Sequence, residues 1–269
     1  ACVTAMDADH LDIYGEVEAL ETSFKDFVGL LPQPQNAWIR EGVHLSGKVF
    51  GSHQSSQARV ENIRIENGQY VFDFWCHGTQ IMDLSFALPG YHNLMNAVAA
   101  LCLSLDVGCS AVHLKEGLKT FTGVDRRFSK RMEDPTVVID DYAHHPEEIK
   151  AMHEAVRAFY PTSKVLAVFQ PHLFSRTRDF CDEFAASLSM FDEVLLLDIY
   201  PARELPIEGV SAQSISNLMH APTTVVDKKE LPERVSDVSA DVVVLMGAGD
   251  IADEVQAVVS HLKDCKHVG

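Results

Sequence analysis

An α/β fold, with a mostly parallel sheet in its second half and antiparallel strands in its first, is predicted by three features of this sequence. After residue 129, short apolar segments (136–139, 164–169, 193–198, 223–226 and 241–246) alternate with amphipathic ones (146–159, 178–189, 211–219 and 251–262). That alternation is the mark of parallel strands covered on both faces by helices. Between residues 43 and 87, by contrast, the strand-like segments 43–50, 58–65, 70–76 and 79–87 follow one another across turns such as Glu66-Asn67-Gly68, as in an antiparallel meander. Finally, the polar stretches of the second half fall directly after its apolar segments, where open parallel sheets bind ligands.

Each element has local support. Helix signals follow Asp12, and a helix is expected over 93–105 with Gly108 closing it. Pro146 stands in the first turn of the helix over 146–159, with Glu147 and Glu148 behind it, favourable to the helix dipole. The change of texture places a domain boundary between residues 128 and 129. The opening Ala1-Cys2-Val3-Thr4-Ala5 reads as the end of a buried strand, so the chain is expected to begin inside a domain.

A chain of 269 residues with 46% hydrophobic content suits one or two domains with a sizeable core. No apolar run approaches the roughly 20 residues of a membrane span, and no basic-then-apolar leader opens the chain. Neither membrane insertion nor a signal peptide is expected. The six cysteines are scattered without a C-x-x-C pair, which suits reduced thiols in the cytoplasm better than disulfides or zinc. A net charge of −17 disfavours nucleic acid and anionic lipid as partners. It also repels nucleotides, so phosphate binding needs local cations. The run Arg126-Arg127-Phe128-Ser129-Lys130-Arg131 supplies them, unless it is a solvated basic turn. Oligomeric state is not legible.

Five constellations carry chemistry. Asp7, Asp9, Asp12 and His10 follow an apolar segment and could hold Mg²⁺ or form a plain acidic turn. Asn93 and Asn96, three apart, share a helix face and could meet the N6/N7 edge of adenine, or be a cap and a polar helix edge. In 138–146 (VIDDYAHHP) a carboxylate at a strand end suits ribose hydroxyls. The His144-His145 pair there could bind a metal or an anion, or include a structural histidine. In 169–178 (FQPHLFSRTR), Arg176 and Arg178 are expected at a helix start, where a cation opposes the dipole unless an anion binds. Arg suits bidentate carboxylate capture; pairing with Asp179 or Asp182 is the alternative. Gly247-Ala248-Gly249-Asp250 is too short for a dinucleotide fingerprint and reads as a tight turn with Asp250 as helix cap.

In order along the chain, the stretches 7–15 (DADHLDIYG), 90–100 (GYHNLMNAVAA), 121–128 (FTGVDRRF), 139–146 (IDDYAHHP), 169–178 (FQPHLFSRTR) and 197–209 (LDIYPARELPIEG) resemble the Mur ligase family, ATP-dependent enzymes of peptidoglycan precursor synthesis. HNxxN and GVxRRF mark the family, and DDYAHHP narrows it to muramate-level members. FQPHxxSRT with DIYPARExPIxG narrows it to those joining L-alanine to UDP-N-acetylmuramate. The resemblance implies a partial central ATPase domain over 1–128 and a Rossmann-like C-terminal domain over 129–269. It also implies ligation through an acyl phosphate, with ATP and Mg²⁺. His10 would be a metal ligand. His92, Asn93, Asn96, Arg127 and Asp141 would bind nucleotide. Tyr142, His144, His172 and Arg176 would form the alanine pocket, with Arg176 the main carboxylate contact. No catalytic group is assigned with certainty. The family's GxxGKT/S phosphate loop does not occur, since Gly47-Lys48 is followed by Val49, and the magnesium-binding Glu preceding the family's DADH is absent. The chain alone is therefore expected not to ligate. A related ligase that attaches a recycled peptide, and a non-catalytic nucleotide- or partner-binding module, remain as alternatives.

Overall fold

The computed structural model describes residues 1–6 and 14–266. The chain divides into two compact units, Ala1–Thr122 and Gly123–Gly269, each built on its own six-stranded sheet.

In the first unit the sheet runs in chain order: β1 (Cys2–Val3), β2 (Trp38–Arg40), β3 (Lys48–Gly51), β4 (Ala58–Glu66), β5 (Gln69–Cys76) and β6 (Thr79–Phe86). Strands β4, β5 and β6 form the expected meander. Its turns, Asn67-Gly68 and His77-Gly78, have positive φ at both residues, the geometry that matches strand twist in a two-residue hairpin. The expected antiparallel pairing does not extend to β3. Strands β1 to β4 are mutually parallel, and β3 meets β4 only through Phe50↔Ala58 and Gly51↔Arg59. Residues 43–47, expected as strand, form an irregular loop with a bend over 45–47. Their apolar side chains Val43 and Leu45 pack instead on a small core of Val3, Val28, Ala37 and Ile39. The Glu41 carboxylate fastens the chain here by accepting from the backbone N–H groups of Ser52 (2.9 Å) and His53 (3.1 Å). Gly51 is required beside it, because a Cβ would overlap the Glu41 side chain.

Helices α1 (Val17–Gly29), α2 (Tyr91–Asp106) and α3 (Ala111–Thr120) complete this unit. Helix α2, expected over 93–105, buries Leu94, Met95, Val98, Leu101 and Cys102. Strand β2 and helix α3 have no counterpart in the sequence reading, because each is short and its apolar residues show neither period clearly.

Asp106, the last residue of α2, gathers three donors. It accepts from the indole N–H of fully buried Trp38 (2.8 Å) and from Lys48 Nζ (2.7 Å), and it meets His77 Nε2 at 3.1 Å. Lys48 also lies over the Trp38 ring.

In the second unit the strand order is β11-β10-β9-β12-β8-β7. The elements are β7 (Ser129–Met132), β8 (Val137–Asp141), α4 (Pro146–Phe159), β9 (Val165–Phe169), α5 (Phe174–Asp179), α6 (Cys181–Leu188), β10 (Glu193–Leu196), α7 (Ala212–Ser216), β11 (Thr223–Val225), α8 (Leu231–Asp237), β12 (Val242–Met246) and α9 (Ile251–Lys266). All pairings are parallel except the edge pair β7/β8. Successive strand residues feed two separate cores, as strand alternation requires. Ile139, Ala167, Phe169, Val194, Leu196, Val244 and Met246 face α4, α6 and α7. Val138, Leu166, Val168, Leu195, Val243 and Leu245 face α8 and α9. This is the doubly covered sheet that the apolar runs predict.

The helix expected over 178–189 is two. Six-residue α5 stops at Asp179, and α6 begins at Cys181 after the non-helical Phe180. Among the described residues no helix is long and apolar enough to cross a membrane.

The Asp106 network generates a prediction for the first unit. Asp106→Ala leaves the buried Trp38 N–H unpaired and should lower the unfolding free energy by about 1–3 kcal/mol. Burial pushes the Asp106 pKa up, but hydrogen bonds from Lys48, Trp38 and His77 outweigh it and hold the group below the usual carboxylate range. A depressed folded pKa gives stability that is present above the unfolded value and lost as pH falls through the folded one. The gap between wild type and variant in urea titrations followed by tryptophan fluorescence should therefore be full at neutral pH and shrink towards acid. Equal midpoints at neutral pH would show that Asp106 does not anchor Trp38.

Candidate functional site

Parallel register brings four strand ends level: Asp141 of β8 pairs with Met246 of β12, Met246 with Phe169 of β9, and Phe169 with Leu196 of β10. The loops that leave these ends carry most of the polar residues singled out in the second half.

The β8–α4 loop is held by two carboxylates. Asp141 is 6% exposed, and its oxygens accept from the backbone N–H groups of Phe128 (2.7 Å) and Ala143 (2.8 Å). Burial drives its pKa up to about 6, against the lowering effects of those two N–H groups and of Arg127. The second is Glu148, in the first turn of α4. One of its oxygens accepts from the backbone N–H groups of His144 (2.9 Å) and His145 (3.2 Å), closing the helix start ahead of Pro146. The His145 ring packs edge-on against Phe180 at 4.9 Å, so the structural alternative holds for this histidine. His144 turns the other way. Its Nδ1 lies 2.9 Å from the Tyr142 carbonyl and 3.2 Å from Glu148, and its ring meets Tyr142 edge-on at 5.2 Å.

The β9–α5 loop lies alongside. His172 forms an isolated parallel bridge with Tyr200 and stacks on its ring at 5.6 Å, while its other ring neighbour is His144 at 6.0 Å. Tyr142, His144, His172 and Tyr200 thus form a continuous line of rings. Burial lowers the His172 pKa, and the nearby charges of His144 and Arg176 push the same way, so the neutral imidazole is favoured. Its Nδ1 is buried without a hydrogen-bond partner.

Arg176 is the third residue of six-residue α5 and Arg178 the fifth, so Arg176 stands in the first turn as expected. In so short a helix the first and last turns overlap, and the dipole by itself does not argue for an anion. Arg178 is exposed and paired with Asp179 at 2.7 Å. Arg176 is half-buried, and its guanidinium makes no ion pair or hydrogen bond among the described residues.

The basic run is largely consumed within the fold. Arg126 pairs with Asp140 (3.3 Å) and donates to the Gly247 carbonyl, with its guanidinium over the Tyr142 ring. Arg131 pairs with Asp140 (2.7 Å) and Asp125, and Lys130 with Glu133 (3.2 Å). Arg127 is the loosest, about half exposed, 3.9 Å from Glu148 and beside Tyr142.

The Gly247-Ala248-Gly249 turn is tight because Gln170 and Tyr200 press on it. A Cβ on Gly249 would lie 2.6 Å from both Gln170 Oε1 and Tyr200 Cγ. Asp250 does not serve as the helix cap. Its carboxylate accepts from Gln170 Nε2 (2.8 Å) and Lys228, and the Ile251 N–H donates to Gln170 Oε1 (3.0 Å).

In the first unit, Asn93 and Asn96 lie on α2, Asn93 half-buried and Asn96 exposed, with exposed His92 beside them. Asn93 donates through Nδ2 to the Pro89 carbonyl (2.7 Å), leaving Oδ1 and one N–H for another partner. His10, with Asp7, Asp9 and Asp12, lies outside the described residues. Among those described, no group of three or more His, Cys, Asp or Glu side chains could hold a metal.

Sequence reasoning missed Tyr200, Glu204 and Gln170. The first two stand in the stretch 197–209, whose pattern was visible but whose side chains had no assigned partner.

Two family models match the chain: one described as Mur ligase middle domain over residues 1–104, and one as Mur ligase, glutamate ligase domain over residues 126–249. The curated UDP-N-acetylmuramate–L-alanine ligase of Christiangramia forsetii is 51% identical over 260 residues, covering 96% of this chain and 58% of that protein. The enzyme of the same name from Flavobacterium psychrophilum is 49% identical over 266 residues, covering 98% and 59%. The crystal structure of UDP-N-acetylmuramate–alanine ligase from Thermotoga maritima superposes with a TM-score of 0.79 at 26% identity, over 98% of this chain and 59% of that one. The chain thus spans under three fifths of the length of these relatives.

Asp141 yields a prediction with a definite sign. Its folded pKa is raised from 3.8 to about 6, so its ionisation opposes folding. The resulting contribution is fully present below the unfolded pKa and is lost as pH rises through the folded value. Two pK units correspond to about 3 kcal/mol. Across pH 4 to 7, wild type should therefore lose up to about that much stability relative to Asp141→Asn. Asn sacrifices one acceptor, which offsets the comparison but does not change its slope. Parallel stability curves for the two proteins over this range would show that the carboxyl group is not buried as described.

Proposed function

The chain belongs to the Mur ligase family, and on that premise we propose that it forms part of an ATP-dependent ligase joining L-alanine to UDP-N-acetylmuramate in peptidoglycan precursor synthesis. In that reaction ATP phosphorylates the lactyl carboxylate of the muramate. The alanine amine attacks the acyl phosphate, a C–N bond forms, and phosphate leaves from the tetrahedral intermediate. Such chemistry depends on holding the amine in line with the acyl carbon.

The convergence of Tyr142, His144, His172 and Arg176 past the level ends of β8 and β9 carries the proposal. Half-buried Arg176 has no ion-pair partner among the described residues, and a guanidinium fork matches a carboxylate bidentately. His172, held in its neutral form and next to His144 and Arg176, would stand beside the amine. The rings of Tyr142 and Tyr200 wall the pocket and suit a small side chain.

The unit Ala1–Thr122 would then belong to the central ATPase domain, without its phosphate loop, and Gly123–Gly269, which begins ahead of the boundary expected between 128 and 129, to the C-terminal domain. His92, Asn93 and Asn96 would meet adenine, Arg127 would lie near the nucleotide, and Asp141 would serve its ribose by fixing the β8–α4 loop. Mg²⁺, when bound, neutralises phosphate charge; His10 would be one of its ligands. Six free thiols suit a cytoplasmic setting.

Two measurements on the complete ligase test this. Truncating one partner of a hydrogen-bonded charge pair in a closed site costs about 2–5 kcal/mol. Arg176→Ala should therefore raise the KM for L-alanine tens-fold or more and leave that for ATP within a few-fold, with Arg176→Lys rescuing only part. A rise in the ATP KM alone would make Arg176 a phosphate contact, and efficient turnover with a peptide in place of L-alanine would overturn the substrate. Asn96→Ala should weaken ATP binding by about 1–3 kcal/mol, as for a lost base contact. Unchanged ATP affinity would reduce the Asn pair to a helix edge.

A further inference from the structure

Helix α5 carries Arg176, yet little within its own six residues stabilises it. Isolated helices shorter than about 12 residues are marginal in water. Leu173, at the N-cap position with φ of 71°, offers no side-chain acceptor. The first N–H groups of a helix need partners, and a negative charge there is favourable. Both needs are met from 29 residues away. Glu204 accepts from the Ser175 backbone N–H (2.9 Å) through one carboxylate oxygen and from the Ser175 hydroxyl (2.5 Å) through the other. The Phe174 backbone N–H donates to the same carboxylate. Desolvation pushes the Glu204 pKa up, but these donors outweigh it and keep the group ionised. Nearby, Leu173 N–H donates to the Tyr200 carbonyl and Tyr200 N–H to the Pro171 carbonyl, 2.9 and 2.8 Å. The stretches 169–178 and 197–209 are therefore joined at both His172 and Ser175.

Arg176 follows Ser175 directly, and its guanidinium has no hydrogen-bond or ion-pair partner among the described residues. Its head is placed by its backbone, and its backbone by whatever fixes α5. We propose that Glu204 is a positioning residue for amino-acid capture: by capping α5 from the neighbouring loop, it sets where Arg176 meets the substrate carboxylate, without itself touching substrate. The proposal rests on the reading of Arg176 as the carboxylate contact.

Steady-state kinetics of the complete ligase, varying each substrate in turn, test it. Glu204→Ala should raise the KM for L-alanine about ten-fold, the size expected from losing a charged cap. Its kcat and its KM values for ATP and UDP-N-acetylmuramate should stay within about three-fold. Glu204→Gln, which keeps one acceptor, should recover part of the loss, and Ser175→Ala should reproduce part of it. In the Arg176→Ala background, Glu204→Ala should add less than about two-fold, because the group it positions is gone. A general fall in kcat without an alanine-specific KM change, or full multiplication of the two effects, would overturn the proposal. If Arg176→Ala raises the alanine KM while Glu204→Ala does not, this inference alone fails. If Arg176→Ala leaves the alanine KM unchanged, the carboxylate assignment fails and takes this inference with it.

Discussion

Strands buried on both faces leave a polar side chain nowhere to go except beyond the strand ends. In the second unit every residue of β9 and β12 is buried, the odd and even positions feeding separate cores under separate helices. Chemistry is therefore confined to the loops, and parallel register determines which loops are neighbours. Because Asp141, Met246, Phe169 and Leu196 end level, the segments that follow them converge, although they are dispersed between residues 142 and 250. The line of rings from Tyr142 to Tyr200 is a consequence of that register.

The two carboxylates that end β8 show how adjacent residues acquire opposite electrostatics. Successive side chains point to opposite faces of a sheet. Asp140 meets Arg126 and Arg131, and much of the basic run is spent in compensating it. Asp141 meets backbone N–H groups in a buried setting, and its pKa rises to about 6. In a chain of net charge −17, cations tied up in this way are not available to phosphate. Arg127, exposed and only loosely paired, is the member of the run that stays available.

In the loops, side chains from distant segments complete one another's hydrogen bonds. Gln170 supplies the acceptor for the first N–H of α9. Asp250 in turn binds Gln170 and Lys228. Glu148 closes the start of α4 and holds His144, while Glu204 closes α5 from another loop. Backbone groups freed at strand and helix ends must find partners, and in each case a side chain that looked functional or idle in sequence provides one.

The sequence by itself determined the class of the second unit, its covered parallel strands, the meander β4 to β6 and the polar stretches that follow the strand ends. These follow from period, turn chemistry and motif spacing, all of which are local. Tertiary structure alone decided the parallel pairing of β1 to β4, where Val43 and Leu45 look like strand residues but serve a small side core. It also decided the break at Phe180, which puts Arg176 and Arg178 on a separate six-residue helix whose first and last turns overlap. Likewise it decided that Gln170 accepts from the first N–H of α9, and that Tyr200 stacks on His172 while Glu204 closes α5. The physical reason is common to all four. A side chain's type limits what it can bond or pack with, but which partner comes within reach is set by residues tens of positions away, through packing that no local pattern records.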